Sequence, residues 1–263
     1  MTTRTGAHTA GSDAALAGFF ALACGVNWGL AAPAALAWVH RQAPTPFGVA
    51  CAGLSAFAPL LAALAVAGPR RELRQVFGRW RTRPHWILVA FGTPLVVHLV
   101  ATALFVGIGG RPDRWLHPPA TPEALAALVV FPLGEEFGWR GFAQPRVTAR
   151  FGPVRGPLAL GLVWGLWHLV YSVTAEAAGF DGFVFLSGMI ELPLYSVILA
   201  WVFERAEGSM AVGIAFHAAA HVDHIERAPR ADLRLHVLHL AVAAAAALMA
   251  ARALRRRSAS PRS

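Results

Sequence analysis

The feature that most constrains this chain is a succession of apolar stretches, most of them long enough to cross a bilayer and set apart by arginine-bearing or turn-forming segments. A helix rises about 1.5 Å per residue, so a hydrocarbon core of about 30 Å takes about 20 residues. Eight stretches answer to this, roughly 14–39, 46–68, 85–108, 123–144, 157–175, 183–203, 209–224 and 235–254. The seventh is short and rich in histidine, so its neighbours have to shield it. In hydrocarbon each backbone polar group must be satisfied within the protein, which selects helices for apolar runs of this length. The expected fold is therefore an all-α integral membrane bundle of about eight transmembrane helices with the site in the bundle interior. Composition agrees: 56% of the residues are apolar and only 14% charged, where a soluble domain carries about 25% charge. No internal repeat and no separate soluble unit interrupts the pattern, so residues 1–263 form a single membrane domain.

Arg4 followed by the apolar run around Phe19 to Cys24 has the outline of a signal sequence. The run continues through Asn27 and Trp28 to Val39, however, well past a signal core of about 7–15 residues, and it reads as a first transmembrane helix. Cys24 and Cys51 lie in separate apolar stretches without metal-ligand spacing and read as buried small hydrophobes. The formal net charge is +9 and every one of the 23 basic residues is arginine. These arginines lie between apolar blocks, so the basic charge points to a lipid bilayer with anionic headgroups and not to nucleic acid. With eight spans, 17 arginines fall on one side and six (Arg41, Arg111, Arg114, Arg227, Arg230, Arg234) on the other. The positive-inside bias then places both termini in the cytoplasm, with residues 255–263 as a basic cytoplasmic tail.

Ionisable groups within spans cost about 2.5–3.5 kcal/mol each on insertion scales and so have a partner or a task. Three clusters stand out: Gly134-Glu135-Glu136-Phe137-Gly138-Trp139-Arg140-Gly141, Trp164-Gly165-Leu166-Trp167-His168, and Phe216-His217-Ala218-Ala219-Ala220-His221. On a helix Glu136 and Arg140 share a face with the acid N-terminal, the favourable order. Glu135 points about 100° away, free to face something else and to act as general base for water. Alternatively Glu136 and Arg140 are a charge pair at the membrane boundary, with Glu135 snorkelling to water. His217 and His221, four apart, let two imidazoles converge on a metal, a water or an oxyanion, or form a hydrogen-bonded structural pair. His224 lies further along the same stripe. His168 follows two tryptophans and by itself reads as a satisfied core histidine. If Pro145 ends the fourth helix and Pro157 opens the fifth, Glu135 and His168 lie at similar depth, about 15 Å in for Glu135. His217 is slightly shallower. Three clusters at one level favour one site over three accidents.

The run Glu135-Glu136-x-x-x-Arg140-Gly141, the aromatic-x-x-x-His of Trp164 to His168, and the late His217-x-x-x-His221 resemble the CAAX-protease and bacteriocin-processing (CPBP, or Abi) family, whose eukaryotic members are prenyl-protein endopeptidases of the Rce1 type. The resemblance covers about 120–225, the catalytic half. It implies an eight-helix intramembrane endopeptidase whose site opens to the cytosol, with Glu135 activating water, Arg140 supporting the motif, and His168 and His217 as the motif histidines. The sequence departs from the family pattern at Trp164, where Phe is commoner, and at His221, where Asn is commoner. Two mechanisms stay open. In one, Glu135 deprotonates a water held by His168 while His217 and His221 stabilise the oxyanion. In the other, a divalent metal such as zinc is held by Glu135, His168 and His217, with His221 a further possible ligand and Glu136 a possible base. The expected partner is a peptide or membrane-protein substrate in the cell membrane, and the lysine-free, alanine- and arginine-rich composition suggests a bacterial inner membrane. The rivals are a non-catalytic membrane factor, such as an immunity protein or secretion partner, and a membrane haem protein. Glu191 in the sixth span reads as a structural partner for a neighbouring histidine or backbone group.

Overall fold

The computed structural model describes residues 4–68, 74, 76–78, 80–116, 118–174, 177–222 and 232–259, with side chains from Asp13 to Arg257. The long helix α1 (Arg4–Val39) is followed by α2 (Pro46–Leu54), a 3-10 turn over Ser55–Phe57 and α3 (Ala58–Val66). Then come α4 (Pro84–Gly107) and α5 (Pro122–Glu136), which runs through a π-helical turn (Phe137–Ala143) into α6 (Gln144–Phe151). Helix α7 (Arg155–Trp167) ends in a 3-10 turn over His168–Ser172, and a two-stranded antiparallel ribbon pairs Val173 with Phe180 and Thr174 with Gly179. Helices α8 (Gly182–Arg205), α9 (Met210–Val222) and α10 (Leu233–Ala259) complete the bundle.

Helix starts follow the local chemistry. Proline occupies the first turn of α2, α4 and α5, where its missing N–H costs nothing. Thr45 and Thr121 cap α2 and α5 by accepting from Gly48 N and Ala124 N, and Asp181 accepts from the Phe183 and Val184 amides at the start of α8.

Among the described residues, five helices are long and apolar enough to cross a membrane: Asp13–Val39, Pro46–Val66, Pro84–Gly107, Gly182–Arg205 and Leu233–Arg257. The other three expected spans coincide with α5 and its π turn, with α7, and with α9. They are the segments that carry the acid, tryptophan and histidine clusters, and their charge and shortness keep them below the length and hydropathy of a free-standing span. Two boundaries differ from expectation. The fourth segment does not end at Pro145: the proline sits in the first turn of α6, where no helical N–H is required, and the helix runs on to Phe151. The fifth changes from α-helical to 3-10 geometry after Trp167 and ends at Ser172, before residue 175.

Inside and outside are arranged for lipid. Large apolar side chains such as Leu88 (73% exposed), Phe47 (72%) and Met249 (64%) face outward. The interior holds Asn27, His98, Glu135, Glu136, Arg140, His217 and His239. Helix α1 packs on α2 and α3, α7 on α8, and α10 on α4 and α8; α9 packs on both α4 and α5, which brings the late histidines against the paired acids. Gly138 permits a further close approach, of the π turn after α5 to α3, since a Cβ there would collide with the Pro59 backbone carbonyl. The orientation-bearing arginines also converge: Arg81 and Arg83 before α4, Arg205 at the end of α8 and Arg257 at the end of α10 line one cleft at one end of the bundle.

Candidate active site

The two acids of the first cluster leave the helix in different directions, as their 100° separation requires. Glu136 is fully buried. Its Oε2 lies 3.3 Å from Arg140 Nε, an ion pair without hydrogen-bond geometry, and its Oε1 accepts from His217 Nδ1 at 2.9 Å. Arg140 sits in the π turn, also fully buried, with its guanidinium 4.7 Å from the Trp164 ring centre. π-helical turns inside α-helices recur at functional sites because the extra residue per turn re-aims side chains. Gly213 of α9 leaves room for this carboxylate: a Cβ there would lie 3.0 Å from Glu136 Oε2.

Glu135, 4% exposed, turns to α7. Its Oε2 accepts a 2.9 Å hydrogen bond from Trp164 Nε1, and its Oε1 stands 3.9 Å from His217 Nε2. That gap is too long for a direct hydrogen bond and short enough for one water to reach both atoms. With Glu136 accepting at Nδ1, the imidazole of His217 is oriented so that its Nε2 edge faces Glu135. His221, one turn on, stacks on His217 with ring centres 4.9 Å apart and planes 19° from parallel.

His168 donates from or accepts at Nδ1 to the Trp164 peptide group; since that partner is a carbonyl, Nδ1 carries the proton (2.9 Å), leaving Nε2 as its acceptor edge. Its ring lies edge-on to Trp164 and Trp167. The end of α7 is tied down by α1: the Trp167 carbonyl accepts from Asn27 Nδ2 at 2.7 Å and Trp28 Nε1 at 3.2 Å, and Trp167 Nε1 donates to the Ala23 carbonyl. A helix-terminal carbonyl that would otherwise be orphaned in an apolar interior is thereby satisfied.

A cavity of about 160 Å³ opens beside these groups, lined by Trp164, His168, His217 and His221 on one side and by Ser187, Glu191 and His236 on the other. Glu191 meets His239 at 3.1 Å, and Tyr195 Oη lies 3.2 Å from the same His239 nitrogen. Glu191 thus has the neighbouring histidine expected of it. His224 lies outside the described residues.

The structure therefore brings Glu135, Glu136, Arg140, His217 and His221 into one contiguous group and sets His168 on the wall of the same cavity. Sequence reasoning missed two participants. The indole of Trp164, expected only to fill an aromatic position, donates to Glu135, which the commoner Phe has no group to do. Asn27 is the other; a polar amide in an otherwise apolar first span was the available signal. The zinc arrangement needs at least three donors converging within about 2.0–2.2 Å of one point. Among the described residues no three His, Cys, Asp or Glu side chains are so placed. The residues as arranged do not fit a three-ligand ion.

No curated protein matches the chain. Residues 117–222, which contain all six site residues, match the family model described as type II CAAX prenyl endopeptidase Rce1-like, and through this segment the chain is similar to that family.

Proposed function

We propose that the protein is an intramembrane endopeptidase in which Glu135 activates water to cleave a peptide bond of a peptide or membrane-associated protein. The observation that carries this is the Glu135 carboxylate, held by the Trp164 N–H on one oxygen while the other stands 3.9 Å from His217 Nε2 within a Rce1-like segment. Water between these two atoms gives its proton to Glu135, and the hydroxide adds to the peptide carbonyl carbon. His168, with Nε2 as acceptor, holds that water on the cavity side. The oxyanion that forms is met by His221 and by His217 in its imidazolium form, whose Nε2–H donates while its Nδ1–H stays on Glu136. Glu135 then passes its proton to the departing amine, and the peptide separates into a carboxylate and an amine. Glu136 and Arg140 do not touch substrate; they fix His217 and neutralise one another.

The arginine bias supports a cell-membrane protein with residues 69–84 and the C-terminal tail in the cytoplasm. The cavity, lined by Ser187 and His236 near the other ends of α8 and α10, lies towards the far end of the bundle from that tail, not at the cytosolic face that the family resemblance implies. The family's description points to a prenylated carboxyl-terminal sequence, while the bacterial composition favours an unmodified peptide or small membrane protein. Purified protein is incubated with a synthetic peptide ending in a farnesylated Cys-aliphatic-aliphatic-X sequence and with the same peptide unprenylated, and products are identified by mass spectrometry. Cleavage that is lost in Glu135→Gln supports the reading, and the preferred peptide assigns the substrate class. If neither peptide is cut and peptides in membranes containing wild-type and Glu135→Gln protein are identical, the chain is a non-catalytic member of the fold.

A further inference from the structure

Three of the five membrane-length helices begin or end at one place: α4 starts at Pro84, α8 ends at Arg205, and the apolar stretch of α10 ends at Arg257. The space between these ends is a cleft of about 700 Å³ lined by Arg81, Arg83, Arg205, Arg257, Trp86 and Glu207. A second cleft of about 550 Å³ shares Arg205 and Arg257 as its wall and adds Arg252, Arg256, Met249 and Ala253. Six arginines thus face two adjoining hollows, with one acid, Glu207, among the described lining residues.

The side chains are held in place, which separates this from a loose basic surface. Arg205 lies over the Trp86 ring at 5.7 Å, and Arg257 Nη1 donates to the Glu204 carbonyl at 3.2 Å, so both guanidinium planes are oriented at the wall common to the clefts. The guanidinium fork matches phosphate oxygens in pairs. Where membrane-crossing helices end is the depth of lipid headgroups, and Trp86 is of the type that sits at that level. Below the clefts the outward faces of α4 and α10 carry Leu88, Phe91, Leu248 and Met249, all exposed.

We propose that these paired clefts bind the phosphate-bearing headgroup of an anionic phospholipid, with its acyl chains lying along the outward faces of α4 and α10. The position at the span ends and the apolar surface beneath select a lipid over a free anion. Arginines gathered between helix ends at this level attract anionic headgroups by about 1 kcal/mol each, or about fivefold in affinity.

The test uses the full chain in a neutral detergent, titrated with dioctanoyl phosphatidylglycerol, dioctanoyl phosphatidylcholine or inorganic phosphate, with thermal unfolding as the readout. The expected result is a saturable rise in Tm with phosphatidylglycerol and none with the other two. Arg205→Gln/Arg257→Gln should raise the half-saturating concentration about twenty-five fold, Arg81→Gln about fivefold, and Arg114→Gln not at all. All these arginines are exposed, so the unliganded fold is retained and the comparison stands on concentration dependence. An equal rise with phosphatidylcholine, an equal rise with phosphate alone, or an unchanged response in both cleft variants overturns the proposal.

Discussion

The division of labour between the paired acids is open to a direct test by replacing each with its uncharged isostere. In Glu136→Gln the volume is kept but Arg140, fully buried, loses the carboxylate 3.3 Å from its Nε, and His217 loses the anionic acceptor of its Nδ1–H. Removing one partner of a buried ion pair costs about 3–5 kcal/mol because the other charge is left uncompensated. The amide adds to the difficulty: turning its oxygen to His217 turns its NH₂ towards the guanidinium. Against a total stability of about 5–15 kcal/mol this is a large fraction. At about 2–4 °C per kcal/mol for a chain of this size, Tm should fall by about 6–20 °C, with a matching loss of monodisperse protein in detergent. Glu135→Gln is different. Among the described residues no arginine pairs directly with Glu135, and a glutamine carbonyl still accepts the Trp164 N–H. Its Tm should stay within about 2 °C of wild type, while cleavage disappears because an amide does not take a proton from water. Both are read on the same preparations, by thermal unfolding and by peptide cleavage. Equal Tm values for the two variants, or substantial turnover by Glu135→Gln, would refute the assignment of structure to Glu136 and chemistry to Glu135.

Trp164→Phe removes the indole donor to Glu135 but keeps an aromatic ring against His217; hydrogen bonds to charged groups contribute about 1.5–3 kcal/mol, so kcat should fall about 10- to 150-fold with the Tm little changed, and a fall confined to KM would count against a role in orienting the base. At His221, a donor to the oxyanion is replaceable by Asn, so His221→Asn should retain much of the activity and His221→Ala lose about 10²–10³ in rate; equal losses in the two, with zinc depleted on elemental analysis, would favour a metal site instead. Reporter fusions at residue 74 and after residue 257 should both read cytoplasmic, as 17 arginines against six require, and a periplasmic signal from either would invert the orientation.

The parts of the fold that a sequence exposes best are those set by hydrocarbon alone. Helices 84–107, 182–205 and 233–257 came out within a few residues of the apolar stretches that predict them, because length and hydropathy there have no competitor. The misjudged boundaries lie where a second influence acts. Pro145 looks like a terminator, yet the π turn before it lets the helix restart with proline in the first turn. Such a turn depends on packing, here of Gly138 against the Pro59 carbonyl, and no local signal announces it.

Within the site, what is legible is whatever follows from periodicity on one helix. The pairing of Glu136 with Arg140 and the divergence of Glu135 are expected from helical periodicity, and the structure has both even though Arg140 sits in the π turn. What joins different helices has no such period. That His217 contacts Glu136 directly and Glu135 across a water-sized gap depends on how α9 leans on α5, and this in turn depends on Gly213 having no Cβ. The same holds for Trp164. As an aromatic residue it satisfies the apolar pattern whether or not its nitrogen is used, so its chemistry emerges only when a carboxylate from another helix arrives within 2.9 Å. Asn27 shows the converse: its amide violates the apolar pattern, and the violation marks the place where α1 holds the end of α7 and with it His168. In a membrane bundle, then, a polar residue in an apolar run advertises an interhelical contact without naming the partner, whereas a tryptophan conceals one.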